Sequence, residues 1–402
     1  MPKGLLLLCL VLGVSHISGC ATSTASNHQE VALDEKTKKQ VPLELYVEDD
    51  IKRGIYEPTT GIYTGAYVEK DANVAGDLLA YEKIVGQTQI FKVFEYNLKE
   101  SLPSQEILKC IAQKKVPYIK IVLRSDCDLT PLYHLIFDLK GSYNVPVFIE
   151  LYPLTSQSYT PLQYKKTYQR AYEIIHKYVK QAVIVWSTDE TRVLDMPVYY
   201  PGDKYVDWVG INIYIPRYKK GERYIYQGTQ NLDFWYKNFQ HTKPMLISSL
   251  AISHFSRVDH VYTISETQEQ LDLFYNQVLT SYPRLRGILY MDIDMQEVSK
   301  KGQEDYRLTS QPGLIETMKL LSAPLECLDH LDFEAKDEEK CYMKYSIIGT
   351  YFEDELYISE EYITSCFPKV PLRKISTKQD LSGEIYYAYN ELSEYCTCYY
   401  KT

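Results

Sequence analysis

The sequence has 402 residues and is poor in tryptophan, in clustered basic residues and in the histidine spacings of metal sites. Its formal net charge is −9, and binding to nucleic acid needs concentrated lysine and arginine, so nucleic acid is excluded as a partner. The eight histidines form no HExxH motif, and no glycine-rich phosphate loop occurs, so we expect neither a metal nor a cofactor. Three tryptophans contrast with 39 tyrosines, whose apolar ring and polar hydroxyl suit sugar-binding clefts as well as ordinary packing.

Long hydrophobic runs are also scarce, and the one that occurs lies at the N-terminus. Lys3 is followed by the short apolar stretch Leu5–Val14 and by Ile17-Ser18-Gly19-Cys20, which resembles a bacterial lipobox. Residues 1–20 therefore predict a lipoprotein signal peptide, with lipid attached at Cys20. No second apolar run reaches the length of a membrane span, so we expect the protein to be exported and anchored to the bilayer of the bacterial cell envelope through Cys20. A plain secretory signal with an incidental cysteine is the alternative.

Composition divides the remaining chain into three parts. Residues 21–53 are polar and poor in aromatic residues, which predicts a tether leading to the first folded domain. Residues 54–324 alternate strand-like and helix-like patterns and are expected to form that domain. Residues 325–402 predict a small β-rich module held by disulfides, because they contain five of the nine cysteines of an exported chain: Cys327, Cys341, Cys366, Cys396 and Cys398. With five cysteines at least one is left over, or pairs with Cys110 or Cys127; a zinc site is the alternative, although no CxxC pair is present.

The segment Tyr199–Tyr214 organises the central domain. Turn-forming residues at 201–203 precede a continuous run rich in valine and isoleucine, which is typical of a parallel strand buried on both faces. Alternation directs Trp208, Asn212 and Tyr214 to one side of this strand. The C-terminal ends of the strands carry the functional site in a (β/α)8 barrel, so we expect Asn212 and Tyr214 at the mouth of a barrel.

Seven further strand patterns alternate with helix patterns, which predicts a (β/α)8 TIM barrel of the α/β class. A long insertion separates the sixth and seventh strands. The strands are predicted at residues 61–68, 89–96, 116–123, 146–152, 182–187, 205–214, 244–248 and 287–292, and the helices at 78–85, 105–113, 132–139, 164–178, 267–282 and 313–321.

The order of these elements and several local patterns resemble glycoside hydrolase family 26, the mannanase-type retaining enzymes. The resemblance covers about residues 54–324 and is carried by YYPGDKYVDWVGINIY at 199–214, by VPVF at 145–148 and by VW at 185–186. It implies a polysaccharide or oligosaccharide bound in the barrel mouth. It also implies Trp186, Asn212 and Tyr214 as substrate-binding residues.

The two catalytic glutamates of that family are missing from the matching positions. In the family the acid/base follows the fourth strand and the nucleophile ends the seventh, and this sequence has Leu154 and Ser249 at those places. Leucine cannot donate a proton, and a serine without a base is no glycosidic nucleophile. The sequence therefore predicts a barrel that binds glycan or a partner without retaining hydrolysis.

An active glycoside hydrolase that acts on β-mannan or a related polysaccharide with relocated carboxylates is the alternative. Glu150, Asp292 and Glu95 are the candidates for this role. Glu150 points inward by alternation and would suit a general acid, but a buried carboxylate paired with an arginine, lysine or tyrosine also fits. Further acidic residues follow the fifth and eighth strands, where solvated loop charges and helix N-caps are the more common roles: Asp189, Glu190 and Asp294.

Overall fold

The computed structural model describes residues 39–49, 53–98, 100, 102–123, 128–140, 145–155, 159–226 and 228–333, followed by the strands 341–352, 355–359, 375–377, 385–388 and 395–400. Side chains are described between residues 53 and 333 of these ranges. The predicted signal peptide and Cys20 lie outside the described residues.

Eight parallel strands close into a barrel, so the predicted (β/α)8 architecture is confirmed. Each strand pairs with its neighbours in chain order, and the eighth closes the barrel against the first. The strands are β1 Tyr63–Tyr67, β2 Phe91–Tyr96, β3 Val116–Ile121, β4 Val147–Leu151, β5 Ala182–Asp189, β6 Trp208–Ile215, β7 Met245–Ile252 and β8 Leu285–Met291.

A helix follows every strand of the barrel. The helices are α1 Leu78–Val85, α2 Ser104–Ala112, α3 Thr130–Asp138, α4 Pro161–Tyr178, α5 Met196–Tyr199, α6 Gln230–Phe239, α7 Ile264–Asp272 and α8 Pro312–Ser322. Helix α7 continues through the π-helical segment Leu273–Val278 into Leu279–Ser281. Short 3₁₀ segments at Glu190–Asp195 and Asp203–Tyr205 flank α5.

The ends of α1 follow from two residues of the sequence. The carboxylate of Asp77 caps the N-terminus by accepting from the amides of Leu79 and Ala80 at 2.9 and 3.2 Å. Gly86 ends the helix with φ of 69°, in the left-handed region that favours glycine. The predicted helix 78–85 and its glycine stop are therefore confirmed.

The segment predicted as a long insertion between β6 and β7 contains the helix α6. A short hairpin of Tyr218–Lys219 and Glu222–Arg223 precedes it. The buried residues of α6 recur at helical spacing and cover the barrel, which explains why a helix forms here: Leu232, Trp235, Tyr236 and Phe239.

Aromatic rings fill the lower part of the barrel interior. The ring of Phe148 lies 4.6 Å from Phe91 and 5.7 Å from Trp208, and Trp208 lies 6.2 Å from Tyr63, between ring centroids. Valine and isoleucine on the opposite side of β6 pack against the helices. The predicted division of β6 into two faces is confirmed, since Trp208 lies inside the barrel.

The N-terminal end of the barrel is closed by the segments that flank it. Arg284 at the start of β8 forms a buried ion pair with Glu57 at 3.0 Å. The amide of Leu328 donates to the carbonyl of Ile62 at 3.0 Å, and the amide of Asp332 to the hydroxyl of Tyr63 at 2.8 Å. Residues 325–333 therefore pack on the barrel, although the sequence assigned them to the C-terminal module.

An antiparallel six-stranded sheet joins the two ends of the described chain. Its strand order is Ile375–Thr377, Lys39–Asp49, Cys341–Phe352, Glu355–Ser359, Tyr395–Tyr400 and Ile385–Ala388. The strand Lys39–Asp49 replaces the C-terminal part of the predicted tether, because Val41, Leu43, Leu45 and Val47 alternate with period two. The β-rich C-terminal part agrees with the composition.

Cys110 and Cys327, the cysteines with described side chains, are both free, so the predicted pairing of a leftover cysteine with Cys110 is not made. The remaining predicted disulfides involve side chains outside the described part of the chain. Across the residues that the structure describes, every helix is too short or too polar to cross a bilayer.

Candidate functional site

A cleft of about 620 Å³ opens at the C-terminal ends of strands β2 to β6. This is the end at which parallel barrels place their sites, and a cavity of this size suits a small ligand. The walls combine aromatic, apolar and charged side chains: Glu95 and Tyr96 on β2, with Asn97 and Glu100 after it; Lys120 on β3, with Val122 and Leu123 after it; Pro153 and Thr155 after β4; Asp189 on β5; Asn212 and Tyr214 on β6.

Glu150 lies beneath this cleft and is fully buried. One carboxylate oxygen, Oε2, lies 3.3 Å from the ammonium of Lys120 and accepts from the hydroxyl of Tyr118 at 3.1 Å. The other oxygen, Oε1, accepts from Ser187 Oγ at 2.5 Å and from Asn212 Nδ2 at 3.0 Å. The sequence left two roles open for Glu150, a general acid or a paired buried carboxylate. Glu150 has the second role, because its lone pairs are occupied and its carboxylate does not face the cleft.

Lys120 forms the charged floor of the cleft and joins β3 to β6 and β7. Its ammonium donates to Asn212 Oδ1 at 2.9 Å and makes a short hydrogen bond to the hydroxyl of Ser249. Burial acts to lower the pKa of Lys120, but the charge and hydrogen bond of Glu150, together with the charges of Tyr214 and Glu95, outweigh burial and raise the pKa above that of a free lysine. Lys120 is therefore a cation that cannot act as a base.

Leu154 follows β4 and Ser249 lies on β7, and neither residue has a catalytic acid or base beside it. The hydroxyl of Ser249 is buried and donates to the carbonyl of Ser248 at 2.9 Å while it accepts from Lys120. Leu154 is buried and its backbone pairs with β5, since its amide donates to Ser187 at 2.8 Å. Neither side chain meets a base or presents an acid.

The turn between β4 and Leu154 has an unusual backbone. Tyr152 is buried and has φ of 51°, which is rare for a residue other than glycine. Its carbonyl accepts from the hydroxyl of Tyr164 at 2.5 Å, and the next residue, Pro153, lines the cleft. Such conformations cluster at functional sites and are held by their surroundings.

Of the three predicted substrate-binding residues, Asn212 and Tyr214 line the cleft and Trp186 does not. Tyr214 is 39% exposed. Burial of its hydroxyl raises the pKa of the phenol, and the charge of Lys120 and a hydrogen bond with Ser249 oppose this rise. Trp186 is fully buried among the helices, with its ring 5.1 Å from Tyr200. Its assignment to the site is wrong because the alternation of β5 turns Ser187 inward and Trp186 outward.

Glu95 and Asp189 are carboxyl groups that the structure brings into the cleft. Glu95 is exposed at the end of β2. Burial raises the pKa of Asp189 to about 6, and the nearby charge of Lys120 lowers it only in part. Glu190 instead accepts from Asn231 Nδ2 at 2.7 Å on α6, outside the cleft.

Asp292 faces the layer between barrel and helices, so its candidacy as a relocated catalyst is not supported. It accepts from the amide of Leu308 at 2.6 Å, and the Thr309 hydroxyl lies 3.0 Å from it and 2.8 Å from Asp71. The single hydrogen of the Thr309 hydroxyl can be donated to only one of the two carboxyls at a time. Burial and then the charge of Asp71 raise the pKa of Asp292 well above its ordinary value.

Asp294 forms ion pairs beside the neighbouring loop. Its two oxygens accept from the guanidinium of Arg257 at 2.8 and 2.7 Å, and Arg307 lies 3.3 Å away. Asp294 therefore holds loops together and lies outside the set of residues that line the cleft. Three or more ligating side chains do not come together at any place in the described part of the chain, so no metal centre is seen there.

The sequence analysis missed Lys120, the residue that connects the floor of the cleft. A signal was present, because a single lysine stands in the apolar run VPYIKI of β3 and has the same parity as the inward Tyr118. Alternation gives its direction but does not reveal its partners, which come from β4, β6 and β7.

The comparisons with known proteins agree with this geometry. The model of Glycosyl hydrolase family 26 matches residues 151–234, which run from the end of β4 into α6. GH26C from a Muricauda species has a TM-score of 0.50 at 13% identity, covering 70% of this chain and 91% of that one. The chain is glycoside hydrolase family 26-like.

A modular endo-β-1,4-mannanase of this family from Cellulomonas fimi also has a TM-score of 0.50, at 12% identity, covering 73% of this chain and 80% of that one. No curated protein matches the sequence. At these identities the likeness concerns the fold. In this barrel Tyr214 lies near the C-terminal end of β6, Leu154 follows β4 and Ser249 lies on β7.

Proposed function

We propose that the family 26-like barrel binds a glycan in the cleft and does not carry out retaining hydrolysis. The observation that supports it is the contact of Lys120 with Ser249, which puts a cation and a neutral hydroxyl where the family has its nucleophile. Retaining hydrolysis needs two carboxyl groups roughly 5 Å apart across the scissile bond. Leu154 and Ser249 cannot provide this pair.

The cleft retains the features that sugar binding uses. Tyr214 presents an exposed ring on which a sugar face can stack, and polar groups lie around it. Asn212 and Lys120 hold the floor rigid through their shared hydrogen bond of 2.9 Å. A preformed pocket with an aromatic wall and few oriented polar groups is the usual form of a small-ligand site.

The proposal is tested by binding and turnover on the same purified protein. A glycan panel that includes β-mannan oligosaccharides should give binding, and reducing-end assays should give no turnover. Tyr214→Ala should weaken binding about tenfold, since a stacking ring contributes about 1–1.5 kcal/mol. Tyr262→Ala is the matched control, because Tyr262 is 57% exposed and lies outside the cleft. Absence of all glycan binding would refute the proposal.

Hydrolysis with relocated carboxylates is the second candidate function, and the joint presence of Glu95 and Asp189 in the cleft favours it. A pKa of about 6 suits Asp189 as a general acid, and exposed Glu95 could act as base or nucleophile. Turnover that disappears in both Glu95→Gln and Asp189→Asn, with unchanged circular dichroism, would establish this function.

We also propose that the protein is anchored to the cell envelope through lipid on Cys20. The support is the lipobox-like sequence Ile17-Ser18-Gly19-Cys20 after a short apolar stretch. The full chain expressed in a bacterial host should enter the detergent phase of a two-phase extraction, and Cys20→Ala should move it to the aqueous phase. Cys9→Ala, within the apolar stretch, should leave the partition unchanged. A wild-type protein found in the aqueous phase would contradict the anchor.

A further inference from the structure

The side chains that line the proposed glycan cleft are unevenly charged. Three carboxylates line it: Glu95 on β2, Glu100 after β2, and Asp189 on β5. Lys120 is the only cation among the described residues that line the same cleft. A formal count of these groups already leaves the cleft negative.

The charge of Lys120 is used within the protein. Its ammonium has three hydrogens, and it contacts Glu150 Oε2 at 3.3 Å, Asn212 Oδ1 at 2.9 Å and the hydroxyl of Ser249. Glu150 forms no ion pair with another described cation and is fully buried. All three hydrogens of the Lys120 ammonium are therefore directed at protein groups, and none is left for a ligand anion.

The three cleft carboxylates form no ion pair at contact distance. No described cation lies within ion-pair distance of Glu95, Glu100 or Asp189, and the charges of Lys120, Arg192 and Lys219 act on Asp189 only from further away. Burial of Asp189 makes its ionised form costly in the empty cleft, as its raised pKa shows. A ligand cation close to Asp189 would remove that cost and would gain charge-assisted hydrogen bonds.

We propose that the cleft selects glycans with free amino groups, such as oligomers of glucosamine, over neutral or N-acetylated glycans. This inference rests on the proposed function and names the ligand class of the same site. The ammonium of an amino sugar meets the carboxylates of Glu95 and Asp189 while a sugar face stacks on Tyr214. An N-acetyl group removes the positive charge, and a mannose hydroxyl never carries one.

The test compares three ligands of equal length by calorimetry on the full chain: the trimer of glucosamine, the trimer of N-acetylglucosamine and mannotriose. The glucosamine trimer should bind about tenfold more tightly than either of the other two. Its affinity should fall as sodium chloride is raised, because charges at a partly exposed site are screened. The affinities of the two neutral trimers should not change with salt.

Variants assign the preference to named groups. Glu95→Gln and Asp189→Asn should each reduce the preference for the glucosamine trimer over the two neutral trimers about three- to tenfold. Glu297→Gln is the matched control, since Glu297 is an exposed carboxylate outside the cleft. Glu95 is exposed, so its substitution should not affect folding, which circular dichroism checks.

The outcomes separate this inference from the proposed function. Equal affinity for all three trimers would overturn the amino-sugar inference while glycan binding stands. Failure of every trimer to bind would overturn both. A trilysine peptide tests whether charge alone is recognised. If trilysine binds as tightly as the glucosamine trimer, and Tyr214→Ala affects the binding of neither ligand, the inference is overturned, because the cleft would then recognise positive charge and not a sugar. Trilysine at least tenfold weaker, with a loss of glucosamine binding in Tyr214→Ala, would support it.

Discussion

Lys120 connects the strands at the floor of the cleft through a buried ion pair with Glu150. A buried ion pair is costly to break, because the remaining charge stays in a medium of low polarity. Lys120 and Glu150 form such a pair, with side chains 6% and 0% exposed. The pair therefore fixes the floor of the cleft, and both partners should be studied together.

The first prediction concerns this pair. Lys120→Met should lower the free energy of unfolding by roughly 3–5 kcal/mol, and Glu150→Gln should lower it by roughly 1–3 kcal/mol. In both variants the substitution leaves buried polar groups without partners. The double variant should lose less than the two added together. Urea unfolding measures all three.

The exposed pair of Lys319 and Glu316 provides the control. These residues lie one helical turn apart on α8 at 2.9 Å, with side chains 44% and 69% exposed. The same cycle of substitutions there should give a coupling below about 1 kcal/mol. Strictly additive losses at Lys120 and Glu150 would show that the two do not stabilise each other.

The second prediction uses two neighbouring aspartates whose pKa values move in opposite directions. The pKa of Asp292 is raised in the folded state, so its contribution to stability is complete below its ordinary pKa of 3.8 and is lost as pH rises through the folded value. Asp292→Asn mimics the protonated acid. It should therefore gain stability relative to wild type between about pH 5 and pH 8, measured by urea unfolding.

Asp294 should behave in the reverse manner. Burial alone would raise its pKa, but the hydrogen bonds from Arg257 and from the amide of Gln296, together with the charges of Arg257 and Arg307, outweigh burial and lower it. Its contribution to stability is therefore present above pH 3.8 and is lost as pH falls through the folded value. Asp294→Asn should cost about 1–3 kcal/mol at pH 7, and the cost should shrink below about pH 4. Parallel pH profiles for the two variants would contradict both assignments.

At the scale of the element, α4 depends on a capping box. Thr160 Oγ1 accepts from the amide of Gln163 at 3.3 Å, and the side chain of Gln163 accepts from the amide of Thr160 at 3.3 Å. The helix is 18 residues long, and its buried face includes Tyr164 and Tyr168. Its first turn also carries the tyrosine that holds the strained turn at Tyr152.

The third prediction is that Thr160→Ala lowers the free energy of unfolding by about 1 kcal/mol, since the helix start loses its hydrogen-bond acceptor. Thr160→Ser keeps the hydroxyl and should cost only a few tenths of that. Thermal and urea unfolding of the two variants give the comparison. An equal loss in both would mean that the methyl group of Thr160, and not its hydroxyl, matters.

Periodicity predicted all eight barrel strands, and its errors have local causes. Strand alternation placed Asn212 and Tyr214 correctly, but at β5 it was not applied to Trp186, whose neighbour Ser187 is the inward residue. The helix α6 was hidden because it follows a polar hairpin that suggests a loop. Contacts across the barrel, such as Lys120 with Ser249, involve residues more than a hundred positions apart and leave no pattern in the sequence.

At the scale of the whole molecule, the (β/α)8 barrel was predictable because its signal is repeated eight times. The borders of the barrel domain were not predictable, because the segments that flank it contact the barrel through individual residues that do not recur at a regular spacing. Arg53 and Asp332 come from opposite ends of the barrel sequence and lie 3.2 Å apart at its closed end. The residues Leu154 and Ser249 could be identified from the sequence alone, whereas the direction of Asp292 required the fold.

The pairing of Lys39–Asp49 with Cys341–Phe352 also has a consequence for the time course of folding. The two strands lie about 300 positions apart in sequence, so closing this contact carries a large loop-closure cost unless the barrel has already formed between them. Apart from β8 and β1, which close the barrel, the barrel strands meet neighbours that are much closer in sequence. The barrel should therefore acquire its protected amides first, and the outer sheet should be the last region of the chain to slow its exchange with solvent.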